Sequence, residues 1–207
     1  MKVKKVVLFD FDGTLSKSDA NREFVKYCFR HSFRPWLFVP VIAVGAALFA
    51  LLDGRSTRVQ GRPVAMLWRQ MTRRFISPGL VARLAPGFIR EHRMRRFKWA
   101  KAKITEEKAV GNMVLLISAG PDYLIRELAK DMKFDAVLCS IMQKSRPWKF
   151  DFLCWGDNKV VALETWAKEN HYTPAVVRGY GDSYGDGPVM ALAKEQIWIN
   201  PKTGERL

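Results

Sequence analysis

The spacing of apolar positions changes twice along the chain. Residues 6–9, Val-Val-Leu-Phe, form an unbroken apolar run that meets Asp10 and, soon after, Gly13. Its length and β-branched content predict a short strand buried on both faces. After Leu15 the period becomes helical, with Phe24, Tyr27, Cys28 and His31 at i, i+3, i+4 and i+7. Residues 35–52 then carry no charge at all. At 62–75 Leu67, Met71 and Phe75 share one helical stripe flanked by arginines, and 88–104 reads as a third, basic helical stretch. No strand signal occurs between 19 and 110. Beyond that point 112–118, 134–140, 175–183 and 196–200 read as strands, and helical patterns at 122–132, 158–170 and 187–194 separate most of them.

Strands alternating with helices predict a parallel sheet covered on both faces, because parallel neighbours need a crossover that packs back on the sheet. The first strand is split from the others by mostly helical chain. The expected architecture is therefore an α/β core, about 1–18 and 95–207, with an inserted α-helical cap, about 19–94. A length of 207 residues with 48% hydrophobic and 27% charged content suits one domain with a modest insertion. Cys28, Cys139 and Cys154 are odd in number and far apart, so buried thiols in a reducing compartment are expected rather than disulfides or a zinc site. Only four apolar residues follow the basic start "MKVKK", short of the roughly 7–15 of a signal-peptide core, so no export signal is expected.

Charge sharpens this picture. Of the net +15, residues 54–108 carry +12, residues 1–53 carry +3 and residues 109–207 are balanced. A block this concentrated points to a polyanionic partner, nucleic acid or an anionic membrane surface, while the plain alternative is a solubilising face.

Ligands of an open parallel sheet bind at the carboxyl ends of its strands. The polar residues there are Asp10 and Asp12 after the first strand, Ser118 after the second, and Asp182 with Asp186 after a later one; Lys159 opens the intervening helix. Three or more carboxylates, a hydroxyl and an ammonium converging on one crevice make a metal-assisted phosphoryl-transfer site. A strand-end DxD acting only as a turn and helix cap is the structural alternative.

In order, "DFDGT", "SAG", Lys159 and "GDSYGD" resemble the four motifs of the haloacid dehalogenase superfamily, in its phosphoserine-phosphatase-like branch. The resemblance spans the whole core and implies a Rossmann-like fold and an aspartyl-phosphate mechanism. It implies Asp10 as nucleophile, Asp12 as general acid and base, and Ser118 and Ala119 at the phosphoryl group. It further implies Lys159 as a charge-neutralising cation and Mg2+ held by Asp10, Asp12 and Asp182. Asp186 would bind the metal through water or orient Lys159. Lys144 and Lys149 are rivals for the lysine role, but "GDNKVVAL" matches the helix-start position better. An aspartate at position 12 fits a phosphatase, with a phosphomutase as the alternative, since superfamily members that stop at the phosphoenzyme carry threonine there. The "SAG" motif departs from relatives with a third-position serine: Gly120 removes one phosphate donor.

The apolar run falls just short of the roughly 20 residues of a transmembrane helix. A single crossing would place everything after it across the bilayer, parting Asp10 from Ser118, Lys159 and Asp182. The run is thus expected to be re-entrant, interfacial or buried in the cap. An apolar wedge beside basic, tryptophan-bearing helices makes a two-part membrane signal, which nucleic-acid binding does not explain. Arg62, Arg69 and Arg73 would then bind a second anionic group of the substrate. The expectation is a magnesium-dependent phosphatase at the cytoplasmic face of a bacterial inner membrane, acting on a lipid phosphomonoester; phosphatidylglycerol phosphate has that layout. The alternatives are a soluble small-metabolite phosphatase, cytoplasmic and resembling phosphoserine phosphatase, and an anionic-surface or nucleic-acid-binding protein with a vestigial core.

Overall fold

A computed structural model describes residues 2–32 and 77–207. Their elements run β1 (Lys2–Phe9), α1 (Ala20–His31), α2 (Pro78–Arg93), α3 (Lys98–Ala109), β2 (Met113–Pro121), α4 (Asp122–Ala129), β3 (Ala136–Gln143), β4 (Arg146–Phe152), α5 (Asp157–Glu169), β5 (Tyr172–Gly181), α6 (Gly187–Met190) and β6 (Glu195–Trp198). The sheet has the order β4-β3-β2-β1-β5-β6. Every pairing is parallel except β3 with β4. This is an α/β, Rossmann-like arrangement.

The apolar run at the start of the chain becomes the centre of the sheet, hydrogen-bonded to β2 on one side and β5 on the other. Successive side chains of a strand point to opposite faces. Val7 and Phe9 accordingly join one core cluster with residues of α1, α2, α3 and α4. Val6 and Leu8 join another beneath α5 and α6. Burial on both faces is why β1 reads as a continuous hydrophobic word rather than an alternating one. Each such side chain contributes about 1.5–3 kcal/mol on leaving water.

Helix α1 starts where Asp19 accepts a hydrogen bond from the Arg22 amide at 2.7 Å. Its helical stripe packs as the spacing predicts: Phe24 and Cys28 are buried, Tyr27 is half-buried, and His31 is exposed and stacks on Tyr27. Phe88 of α2 meets Phe24 and Tyr27 edge-on, with centroids 5.2 and 5.7 Å away. The described ends of the insert thus share one hydrophobic cluster with β1 and β2.

The basic stretch 88–104, expected to be one helix, is two. Helix α2 ends at Arg93 and α3 begins at Lys98. Between them the chain turns extended to pair with the loop after β1: the Lys17 amide donates to the Arg95 carbonyl at 3.1 Å and the Phe97 amide to the Leu15 carbonyl at 3.0 Å. Inside this clamp His92 Nε2 lies 3.2 Å from Ser16 Oγ, both side chains buried. Tertiary hydrogen bonds outweighed the local helical pattern. Strand β4 had no signal in the apolar spacing and forms as the antiparallel partner of β3. The helix expected over 187–194 is shorter, ending at Met190. The cysteines are free and buried, and burial pushes the Cys28 and Cys154 thiols up to about 12.

Residues 35–52, the stripe at 62–75, and Arg62, Arg69 and Arg73 lie outside the described residues. Among the described residues no helix is long and apolar enough to cross a membrane.

Candidate active site

Three strands end side by side in the middle of the sheet. After β1 comes Asp10, whose amide still bonds to the Tyr180 carbonyl of β5 at 2.9 Å, so the ladder places it at the crevice. Ser118 lies near the end of β2, and Asp182 follows β5 directly. Lys159 sits in the first turn of α5, one layer below, and is only 1% exposed. Its ammonium reaches up to Asp10 Oδ1 at 2.7 Å, Asp186 Oδ1 at 2.5 Å and the Ile117 carbonyl at 3.1 Å. Those three bonds use all three donors of the ammonium. The rival lysines, Lys144 and Lys149, are exposed.

Carboxylates outnumber cations here. One oxygen from each of Asp10, Asp182 and Asp186 lies within 4.8 Å of the others. Burial pushes the Asp10 carboxyl up to about 7, against the pull of Lys159, and burial with the neighbouring Asp186 lifts Asp182 to about 6. Burial alone would depress the Lys159 ammonium, but Asp10 and Asp186 more than reverse this and hold it charged. Oxygen donors this crowded, with one ammonium among them, fit a hard divalent cation. Gly13 is part of that fit. It has φ +84°, and a Cβ there would stand 2.2 Å from Asp182 Oδ2, so only glycine lets this loop lie against the second carboxylate.

The two remaining acids have distinct surroundings. Asp12 Oδ1 accepts the Ala20 amide at 2.7 Å, at the N-terminus of α1. Burial, with Asp19 and Asp10 nearby, holds its carboxyl well above the usual carboxylate range. Asp186 is fully engaged: Oδ1 takes Lys159, while Oδ2 accepts from the Asp182 amide, the Ser183 amide and the Ser183 hydroxyl. That saturation favours orienting Lys159 over direct metal ligation.

Ser118 is buried, and its Oγ accepts the Gly120 amide at 3.1 Å. Beside it Ala119 is partly exposed. The glycine at 120 has a packing reason, since a Cβ would approach Ile125 Cδ1 to 2.6 Å. Asp10, Asp12, Ser118, Ala119, Lys159, Asp182 and Asp186 thus all lie at one end of the sheet; Arg62, Arg69 and Arg73 lie outside the described residues. Three residues of the site are absent from the sequence candidates: Gly13, Thr14, whose hydroxyl lies 3.5 Å from Asp182 Oδ1, and Ser140. Ser140 ends the predicted strand 134–140, so the strand-end rule that singled out Ser118 applies to it equally.

The haloacid dehalogenase-like hydrolase family matches residues 7–191, and the chain belongs to that family. It is an enzyme of the hydrolase class. Protein CicA of Caulobacter vibrioides is 25% identical over 208 residues, covering 92% of this chain and 84% of that protein. Among solved structures, a Bordetella pertussis Tohama I protein of unknown function superposes with a TM-score of 0.71 at 17% identity, covering 98% of this chain and 93% of that one. A substrate-bound phosphoserine phosphatase complex superposes with a TM-score of 0.61 at 18% identity, covering 96% and 87%.

Proposed function

We propose that the chain is a magnesium-dependent phosphomonoester hydrolase that works through an aspartyl-phosphate on Asp10, and that its substrate is a membrane lipid phosphate. The observation that carries the reaction is the buried Lys159 ammonium joined to Asp10 and Asp186 beside Asp12 and Asp182. An Asp10 oxygen attacks phosphorus, the P–O bond to the leaving alkoxide breaks, and the proton on the Asp12 carboxyl goes to that alkoxide. Asp12, now a carboxylate, takes a proton from the water that attacks the phosphoryl group on Asp10. Inorganic phosphate leaves and both acids return to their starting states. The Ala20 amide engages one Asp12 oxygen and leaves the other to carry the proton. Magnesium held by Asp10, the Asp12 carbonyl and Asp182 would supply charge neutralisation for the phosphoryl oxygens and favour ionised Asp10. Ser118, the amides near Ala119, and Lys159 stabilise the remaining charge.

In this reading residues 19–94 form a cap over a core of 1–18 and 95–207, and the cap selects the group attached to phosphorus. The charge-free run 35–52 beside a segment of net +12 supports an anionic membrane surface as partner, at the cytoplasmic face. The apolar insert, the "MLW" at 66–68 and the "GYGDSYGDGPVM" end resemble bacterial phosphatidylglycerophosphatase C. Phosphatidylglycerol phosphate, with a terminal phosphomonoester and an internal phosphodiester for Arg62, Arg69 and Arg73, is the proposed substrate. The soluble reading, a small-metabolite phosphatase, draws on the likeness to the phosphoserine phosphatase fold. A vestigial core that only binds nucleic acid fits poorly with a complete set of acids and a buried lysine.

Phosphate release from phosphatidylglycerol phosphate in mixed micelles, measured against phosphoserine, tests the reading. The expected preference is at least about tenfold in kcat/KM. Equal rates, or a preference for phosphoserine, would favour the soluble enzyme instead.

A further inference from the structure

Strand β2 does not pair evenly with β3 at the site. Ser118 stands opposite Cys139 and Pro121 opposite Ser140, so Ala119 and Gly120 bulge out between them. A bulge takes backbone groups out of the ladder, and buried polar groups of that kind need other partners. The Gly120 amide finds Ser118 Oγ. The Ala119 carbonyl accepts the hydroxyl of Ser140 at 2.8 Å.

Ser140 is 0% exposed. Its Oγ also accepts the Cys154 amide at 3.0 Å. The segment it holds there, 153–157, leads directly into the first turn of α5 and Lys159. Two residues on, the Gly156 amide donates to the Gly185 carbonyl at 3.1 Å, within the loop that carries Asp182 and Asp186. One hydroxyl therefore ties the bulge after Ser118 to the start of the lysine helix, and through Gly156 to the acid loop. A serine supplies one donor and two acceptor sites, and here the donor and one acceptor serve different parts of the site.

We propose that Ser140 is a positioning residue for phosphoryl binding. It touches neither phosphate nor metal; it sets the peptide planes of Ala119 and Gly120 and their distance from Lys159. The inference rests on the reading in which Ser118 and the bulge hold the phosphoryl oxygens.

Ser140→Ala, Ser140→Cys and Ser140→Thr in the full chain test it, with p-nitrophenyl phosphate as substrate, inorganic phosphate as competitive inhibitor and saturating magnesium. Alanine removes both bonds, cysteine keeps the volume with only weak hydrogen bonding, and threonine keeps the hydroxyl. The Ki for phosphate and the KM should rise about tenfold in the alanine and cysteine variants, and fall back to within about twofold of wild type in the threonine variant. Half-saturation by magnesium should stay unchanged throughout. A Ki does not depend on the folded fraction, so lost stability alone leaves it where it was. Unchanged Ki values in the alanine and cysteine variants, whatever their melting temperatures, would overturn the proposal. Should threonine be too large to fold, the alanine and cysteine values alone decide. Hydrogen exchange at the Cys154 amide reads the tie without turnover and should speed up in the alanine variant. A wild-type protein that neither binds phosphate nor releases it from any ester would sink the phosphatase reading instead, a result distinct from unchanged Ki values.

Discussion

Two buried charge clusters lie on this sheet, and they are built on opposite principles. At the carboxyl ends of β1 and β5, Asp10, Asp182 and Asp186 crowd together, and the one ammonium there, that of Lys159, pairs with Asp10 and Asp186 only. Behind β5, the single carboxylate of Glu107 on α3 is 1% exposed and over-supplied with partners. Arg178 Nη1 reaches both its oxygens at 2.9 and 2.7 Å, Asn112 donates at 2.9 Å, Tyr180 lies at 3.4 Å and Lys103 at 3.5 Å. A satisfied buried ion clamps α3 to the sheet and has nothing left to bind. In the proposed function, an under-compensated one leaves charge that a cation and a phosphoryl group would use. Imbalance, rather than burial of charge, separates the candidate active site from the structural cluster.

The largest expected effect breaks the reactive cluster. Asp10→Asn keeps shape but loses the proposed nucleophile, so phosphate release should fall by at least about a thousandfold while the far-ultraviolet circular dichroism stays that of wild type. Residual activity above a few per cent would remove Asp10 from the mechanism.

Next comes the structural cluster. Glu107→Gln strips the charge from a buried carboxylate whose main partner, Arg178, is part-exposed, and should cost about 2 kcal/mol in denaturant unfolding. kcat per folded molecule should change by less than about twofold. A large loss of kcat at full folding would mean the two clusters are coupled.

Metal and pH sharpen the comparison from another side. Asp10 and Asp182 have folded values near 7 and 6, above the ordinary 3.8. The native state then binds more protons than the unfolded chain, so these groups favour folding at low pH, and that contribution is lost as pH rises through 6 to 7. In chelator, the stability of wild type relative to Asp10→Asn should fall as pH rises from about 4 to 7 and level off above, and magnesium should restore most of it. A flat profile in chelator would contradict the imbalance.

The smallest effect concerns His92. Burial, with Arg95 beside it, lowers its imidazole to about 4 from an ordinary 6.5. Here the unfolded chain binds the extra proton, so this group's contribution is present above pH 6.5 and is lost as pH falls toward 4. The stability difference between wild type and His92→Gln should shrink by about 2 kcal/mol from pH 7.5 to pH 5. A difference independent of pH would mean that His92 is not held neutral against Ser16.

What the amino-acid sequence by itself determined is local and periodic. Val6–Phe9 had to be a doubly buried strand because four consecutive apolar residues have no polar face to offer water. Most other strands and helices were likewise legible from their spacing. Asp10, Asp12, Ser118, Asp182 and Asp186 were legible as strand-end polar residues, and Lys159 as a helix-start ammonium. The remainder lacked a local signature because it depends on contacts distant in sequence. The helical pattern of 88–104 breaks at Met94–Phe97 because Leu15 and Lys17 offer backbone partners there. β4 exists because β3 presents an open edge. Ser140 matters only once the bulge at Ala119 leaves a carbonyl needing a donor. Nor could charge counting tell Glu107 from Asp10. The motif marks Asp10, but only the folded chain decides that Glu107 meets Arg178 and Asn112 while Asp10 and Asp186 share a single lysine, because the energy of a buried charge is set by the partners within a few ångströms of it.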